Sequence, residues 1–432
     1  MSDVRPFRGW RYDPAVAGPF ATVICPPYDV VPPARAEDLM ARNAYNAIRL
    51  ELGPGVLDPA APDNRYARAA GTLDAWVRAG ALRRDAEPFL YVYEQRFTVD
   101  KRERRRFAFF AAVRLAPWDA GEVLPHERTL SAPKQDRLAL LEATRANISP
   151  IYALCDAGLP GVDALRDAAA GRVPDIEVTD DEGVAHRLWL VRDPAVLAGV
   201  TAALADHPLY IADGHHRYET ALAYAEAWGP LDRAAPDGVG YVLMALTPVD
   251  DPGLVVFPTH RLARDLDPAR VAYGLTRLHE SFEVEIVEGV PPAGLLLSRM
   301  AEAAQTGAPA FGLYIPGLTR LLRPRPTSPH IAGLDSALQG LDVALLQALL
   351  FEDVLGLTAE DVRGQRHVDY TRDADEALRR VDSGSYQLAV LLNPTPARAV
   401  LDIARAGTQM PQKSTYFYPK LATGLVLRRL EP

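Results

Sequence analysis

Apolar and polar positions follow two rhythms along this chain, one of about two residues and one of about 3.6, which alternate from end to end. Alternation over Ala47–Leu52 and short apolar or strand-like runs between breakers elsewhere predict strands at Thr22–Cys25, Ala47–Leu52, Pro88–Thr98, Arg105–Ala116, Pro150–Cys155, Leu188–Val191, Tyr241–Thr247, Val255–His260 and Gln387–Leu392. Pro88–Thr98 and Arg105–Ala116, joined by a charged turn around Asp100, form the best hairpin in the sequence. Helical spacing predicts Pro33–Arg42, with proline in the first turn, then Arg65–Gly80, Pro133–Ala146, Pro194–Asp206 and Asp373–Val381. Leu209–Trp228 reads as strand, tight polar loop and helix, and Pro268–Pro324 as helix, strand, helix and hairpin. A strongly apolar helix, a helix running to Ala406 and a polar loop occupy the last hundred residues. Proline pairs at Pro26-Pro27, Pro32-Pro33 and Pro291-Pro292 mark rigid loops, since each fixes φ and removes two backbone donors.

Strand and helix alternating throughout predict an α/β (α+β) chain with mixed sheets flanked by helices. The breaker-rich stretch Thr327–Gly333 suggests a boundary, which gives three regions: 1–260, a small α+β region at 261–330, and 331–432. With 432 residues, 48% of them hydrophobic and 24% charged, there is material for two or three packed domains. The net charge of −9 provides no basic field for nucleic acid, so no nucleic-acid partner is expected. Two cysteines are too few for a disulfide framework or a thiolate zinc cluster. The first thirty residues lack a signal-peptide pattern. The longest apolar stretch, Leu341–Leu357, is interrupted by Asp342, Gln347, Glu352 and Asp353, so no membrane span and a cytoplasmic location are expected.

The densest chemistry lies in Asp213-Gly214-His215-His216-Arg217-Tyr218. A strand delivers the chain to Asp213, Gly214 permits a backbone geometry a side chain would block, and a helix begins at once. Such a turn aims unpaired N–H groups and the positive end of a helix at one point, which suits a phosphate. Arg217 adds a planar fork of donors, His215 and His216 can donate to oxyanions, and Asp213 can accept a proton or hold Mg²⁺. A capped helix start with solvated histidines, or a metal site using Asp213 and one histidine, would use the same residues.

Three further clusters carry candidate roles. His126 and Glu127 sit on an irregular loop before a helix bearing Lys134 and Arg137. They suit an acid–base pair, with Glu127 also a metal ligand and the two cations as anion contacts; a charge-balanced loop is the alternative. Lys413-Ser414-Thr415 sets an ammonium beside two hydroxyls, a phosphate-grasping combination without the spacing of a P-loop. The adjacent Tyr416, Phe417 and Tyr418 favour packing over base stacking. Tyr28 and Asp29, on the stiff Pro26-Pro27 corner, either wall a substrate pocket or form a corner in which Asp29 caps the helix after Pro32. Lys101–Arg106 reads as the solvated tip of the hairpin.

Taken in order, Arg5-Pro6-Phe7, Pro26-Pro27-Tyr28-Asp29-Val30, His126-Glu127-x-Thr129, Asp213-Gly214-His215-His216-Arg217-Tyr218 and Lys413-Ser414-Thr415-Tyr416-Phe417-Tyr418-Pro419-Lys420 resemble a prokaryotic family defined as a domain of unknown function. Over Tyr210–Ala225 the turn also resembles the phosphate-binding turn of the ParB/sulfiredoxin superfamily, which includes free-serine kinases. That resemblance implies a ParB/sulfiredoxin-like strand-turn-helix in which Gly214, His215, His216 and Arg217 bind phosphate and Asp213 acts in catalysis or substrate binding. Glu127 is then the candidate upstream carboxylate. The expected activity is nucleotide-dependent phosphoryl transfer to a small hydroxylated metabolite, with L-serine or phosphoserine leading. ATP or ADP would be the co-substrate and Mg²⁺ the ion, held at Asp213 and Glu127. The other readings are a ParB-like nucleotide-binding regulatory or scaffold protein and a metal-dependent hydrolase.

Overall fold

The computed structural model describes residues 2–127, 131–228, 235–289, 292–305, 307, 309–364 and 366–430. Thr129 and Pro291 of the sequence motifs lie outside them. The chain divides into two compact units, the first made of residues 1–125, 129–254 and 419–432, the second of residues 126–128 and 255–418.

Among the described residues, the first unit is built on a nine-stranded mixed sheet. Its order is Val123–Leu124, Leu209–Asp213, Ile151–Cys155, Tyr241–Pro248, Arg102–Arg114, Leu90–Val99, Ala185–Val191 and Ile176–Thr179, with Val4–Arg5 added on Arg102–Arg114. Parallel pairs (Leu209–Asp213 with Val123–Leu124, and Tyr241–Pro248 with Ile151–Cys155) alternate with antiparallel ones. The hairpin turns through Asp100 and Lys101, both at positive φ, and pairs in register from Tyr91↔Phe110 to Val99↔Arg102. Its second strand is buried without a break from Arg106 to Val113, where both faces of the sheet are covered by other elements. The helices Pro160–Ala169 and Pro194–Ala205 cross so closely that a side chain on Gly161 would place its Cβ 2.2 Å from the carbonyl oxygen of Gly199.

The second unit carries an antiparallel sheet ordered Phe282–Val287, Leu318–Pro324, Phe311–Ile315, Leu388–Leu391, His260–Ala263 and Val368–Thr371. Strands from both sides of residue 330 thus share one sheet, and Thr327–Gly333 contributes a short helix, Pro329–Ala332. The apolar stretch after Leu341 forms one α-helical turn, Asp342–Leu345, followed by π-helix over Leu346–Val354.

Two expected strands are helices. At Phe20–Val23, Thr22 donates its hydroxyl to the Pro19 carbonyl and Ile24 N–H closes onto Phe20, leaving Cys25 a single bridge to Thr423. At Ile48–Glu51, the buried Asn46 accepts the Ile48 N–H and donates to the Thr22 carbonyl, which starts a helical turn. The alternation that suggested a strand there fails because Glu51, one of its polar positions, is itself buried against Arg137. The hairpin tip is solvated as expected from Lys101 to Arg105, with Arg104 half-buried, and only Arg106 departs from it, being 1% exposed. Both cysteines are buried thiols. Among the described residues no helix is long and apolar enough to cross a membrane.

The Gly161 contact generates the first prediction. A valine at position 161 forces the two helices apart and lowers unfolding free energy by about 2 kcal/mol. Urea denaturation followed by far-UV circular dichroism measures it; an unchanged midpoint would contradict the packing described.

Candidate functional site

In the first unit, the strand Leu209–Asp213 ends at the edge of a register irregularity against Ile151–Cys155, which sets Asp213 opposite Tyr152. Gly214 follows with φ +94°, and a Cβ there would fall 2.9 Å from Nε of Arg217. Glycine is therefore required twice, for its left-handed backbone and for the guanidinium folded over it. The helix His215–Trp228 opens with the Tyr218 N–H bonded to the Gly214 carbonyl. Tyr218 anchors that first turn: its buried ring stacks on Trp118 at 4.6 Å, and its hydroxyl both donates to the Ala116 carbonyl and accepts the Ala116 N–H. His215 is buried, His216 half-buried.

Asp213 sits between two cations. Lys420 Nζ donates to its Oδ2 at 2.6 Å, and Arg217 Nη2 lies 3.7 Å from its Oδ1 while Nη1 donates to the Pro150 carbonyl. Burial pushes the Asp213 carboxyl up, but Lys420 and Arg217 outweigh it and hold the group well below the usual carboxylate range. Lys420 is placed from the hairpin. Buried Gln95 donates to the Lys420 carbonyl at 2.9 Å, and Arg106 donates to the Pro419 carbonyl at 2.6 Å, bonds Gln95, and stacks over Tyr152 at 5.0 Å.

Next to the turn, Arg137 pairs with Glu51 and with Asp136 at 2.5 Å, and its guanidinium lies 3.8 Å from the Tyr28 ring. Glu51 also accepts from Ser149 at 2.5 Å, and Ser149 shares a 2.8 Å bond with Thr423. Burial pushes the Tyr28 hydroxyl up to about 12, although Arg137 and Arg217 oppose it. A cavity of about 50 Å³ lined in part by Glu51, Arg137, Ser149, Arg217 and Thr220 has room for a water or two at ~30 Å³ each, and none for a nucleotide. Arg137 and Tyr28 thus form a buried ion-pair and stacking network beside the turn. Asp29 is exposed, and the helix after Pro32 has no side-chain cap. Lys134 pairs with Glu219 at 2.9 Å, tying the helix Ser131–Thr144 to the helix of the turn.

In the second unit, His126 is fully buried, with Nε2 3.2 Å from the Thr415 hydroxyl and its carbonyl accepting the Met410 N–H. Glu127 accepts the Lys413 N–H at 3.3 Å. Lys413 has φ 56°, uncommon without glycine, and its carbonyl accepts from buried Arg261 at 3.1 Å. Ser414 is buried and donates to the Pro411 carbonyl.

The structure therefore gathers Asp213, Gly214, His215, Arg217, Arg137 and Tyr28 in one unit, and His126, Glu127, Lys413 and Ser414 in the other. Lys420, Glu51 and Arg106 were not singled out as site residues in the sequence. Lys420 closes the same motif as Lys413, but Glu51 and Arg106 carry no local signal, because their burial depends on distant partners, Arg137 and the Pro419 carbonyl. Among the described residues no group of three or more His, Cys, Asp or Glu side chains is placed to hold a metal ion. Around Asp213 the neighbours are Lys420, Arg217 and His215, a cationic set that does not fit a divalent ion held there.

Fold and turn define a mixed α/β protein with a glycine-bent strand-to-helix junction. The chain belongs to the family described as protein of unknown function (DUF1015), which matches residues 4–344. No curated protein matches it. Among solved structures it is similar to a conserved hypothetical protein from Pyrococcus furiosus (14% identity over 72% of this chain and 91% of that one, TM-score 0.36). It is also similar to a free serine kinase in complex with AMP (12%, 71% and 86%, TM-score 0.36) and to SbnI with a C-terminal truncation from Staphylococcus aureus (10%, 72% and 84%, TM-score 0.33).

The Asp213–Lys420 pair generates the second prediction. Lys420→Met leaves a largely buried carboxylate one cation short and costs about 3 kcal/mol, whereas adding Asp213→Asn recovers part of that loss. Because the carboxyl is depressed in the folded state, the pair's stabilisation is complete above the ordinary carboxylate pKa of about 4 and disappears as pH falls below it. Urea unfolding of wild type and both variants across that range checks the sign; equal acid sensitivity in all three would refute it.

Proposed function

We propose that this protein is a nucleotide-dependent phosphotransferase acting on a small hydroxylated metabolite, with L-serine the leading substrate and phosphoserine its product. One observation carries the reading: a carboxylate that burial would neutralise stays ionised between Lys420 and Arg217, at a glycine turn opening a 14-residue helix. Two cations on one carboxylate leave a surplus of positive charge at the helix end. The nucleotide's terminal phosphate would meet the N–H groups after Gly214 and share the two cations, with His215 and His216 as further donors.

Phosphoryl transfer asks mainly for alignment and charge neutralisation. The substrate hydroxyl oxygen attacks phosphorus, the bond from phosphorus to the nucleotide's bridging oxygen breaks, and the hydroxyl proton passes to Asp213 or to water. A carboxylate with so low a pKa is a weak base, so its main task is to orient the hydroxyl by accepting its hydrogen bond. That suits a loose transition state in which the proton leaves late. Mg²⁺ would enter on the nucleotide's own phosphates.

Phosphate exchange between ATP or ADP and serine by the full chain tests the proposal. Turnover is expected, and Asp213→Asn should reduce it by about a hundredfold or more. Absence of turnover across a broad panel of nucleotides and hydroxylated metabolites would defeat it, as would full activity in Asp213→Asn.

A further inference from the structure

We propose that the second unit holds its own binding site for a small phosphate monoester, built around Lys413 and Arg372 and independent of the turn at Asp213. The site is a cavity of about 760 Å³ whose lining includes Phe257, Tyr370, Arg372, Arg380, Lys413 and Tyr416. That volume falls within the range of small-molecule pockets.

Charge pairing identifies the ligand. Three carboxylates also line the cavity, two of them paired with arginines and the third capping a helix. Asp369 is bound by Arg264 at 3.1 Å and by the Tyr386 hydroxyl at 2.8 Å. Glu376 is bound by Arg380 at 2.6 Å and by the Thr371 hydroxyl. Asp373 caps the helix Ala374–Asp382 by accepting the Glu376 N–H at 2.8 Å. Among the described residues, neither the Lys413 ammonium nor the Arg372 guanidinium has a carboxylate within 4 Å, and with Asp373 held only by a backbone N–H the lining keeps one positive charge in excess. A phosphate monoester can bridge Lys413 and Arg372, giving each cation its own terminal oxygen, and its negative charge answers the excess.

The Arg372 guanidinium and the backbone that carries Lys413 are held in place before any ligand arrives. The Arg372 guanidinium lies 4.2 Å from the centre of the Tyr416 ring, which fixes its plane and leaves its N–H edge for oxyanion bonds. Lys413 is held in its left-handed conformation from both sides of its peptide, by Glu127 on its N–H and Arg261 on its carbonyl. A strained non-glycine residue fixed by its surroundings at a cavity wall is the usual mark of a binding position. Arg261 is itself buried, feels the Glu127 carboxylate, and stacks over Tyr370 at 4.8 Å, which fixes it behind the loop.

Lysine acetylation of the folded full chain, read by mass spectrometry at Lys413, tests the site directly, with glycerol phosphate as the probe. At about ten times its dissociation constant, glycerol phosphate should slow Lys413 modification about tenfold, while chloride of equal ionic strength and the Glu219-paired Lys134 show no such effect. Arg372→Ala should abolish the protection, and Arg217→Ala, which damages the turn in the first unit, should leave it intact. Unprotected Lys413, or protection that survives Arg372→Ala, would overturn the site. Equal protection by a dicarboxylate would overturn the phosphate assignment, and loss of protection in Arg217→Ala would overturn its independence from the turn.

Discussion

One carboxylate between two cations organises the candidate site of the first unit. Asp213 ends a buried strand where an isolated acid would take up a proton, and Lys420 and Arg217 keep it charged. Each of those cations is in turn fixed elsewhere: Arg217 by the Pro150 carbonyl and the bare backbone of Gly214, Lys420 by Gln95 and Arg106 of the hairpin. The site is thus a product of the sheet, which carries Asp213, the hairpin and the strand bearing Tyr152 together.

Buried arginines recur as the connectors of this unit. Arg106, Arg137 and Arg428 are nearly inaccessible, and each bonds to residues far away along the chain. Arg428 bonds Asn147 and the carbonyls of Pro236 and Gly238, where burial pulls its pKa down to about 10. A planar group with five donors can satisfy several backbone carbonyls at once, which lysine cannot. Through Arg428 and the Lys420 segment, residues 419–430 become part of the first unit.

Much of the architecture could be read locally. Helices such as Pro33–Arg42 and Asp373-capped Ala374–Asp382 declare themselves by a terminal proline or an acidic cap and a single apolar face. The hairpin follows from two long apolar runs around a polar turn. The strand-turn-helix at Asp213 follows from a glycine that must adopt a positive φ between an apolar strand and a helix. Misreadings arose where a polar residue was buried by a distant partner, as with Glu51 in the helix Ile48–Glu51 and Arg106 on the hairpin. Burial of such a residue leaves no periodic trace, because the partner lies tens or hundreds of positions away.

Local rules fixed the mixed α/β class, the position of the glycine turn and the set of chemically capable residues around it, since backbone preference and apolar periodicity act over a few neighbours. Which of those residues share a site was decided only in three dimensions. Folding gave Asp213 to Lys420, withdrew Arg137 and Lys134 into ion pairs with Glu51 and Glu219, turned Ser414 inward and left Lys413 on a cavity wall. Charge pairing depends on distance through space, and a chain read in one dimension does not contain it.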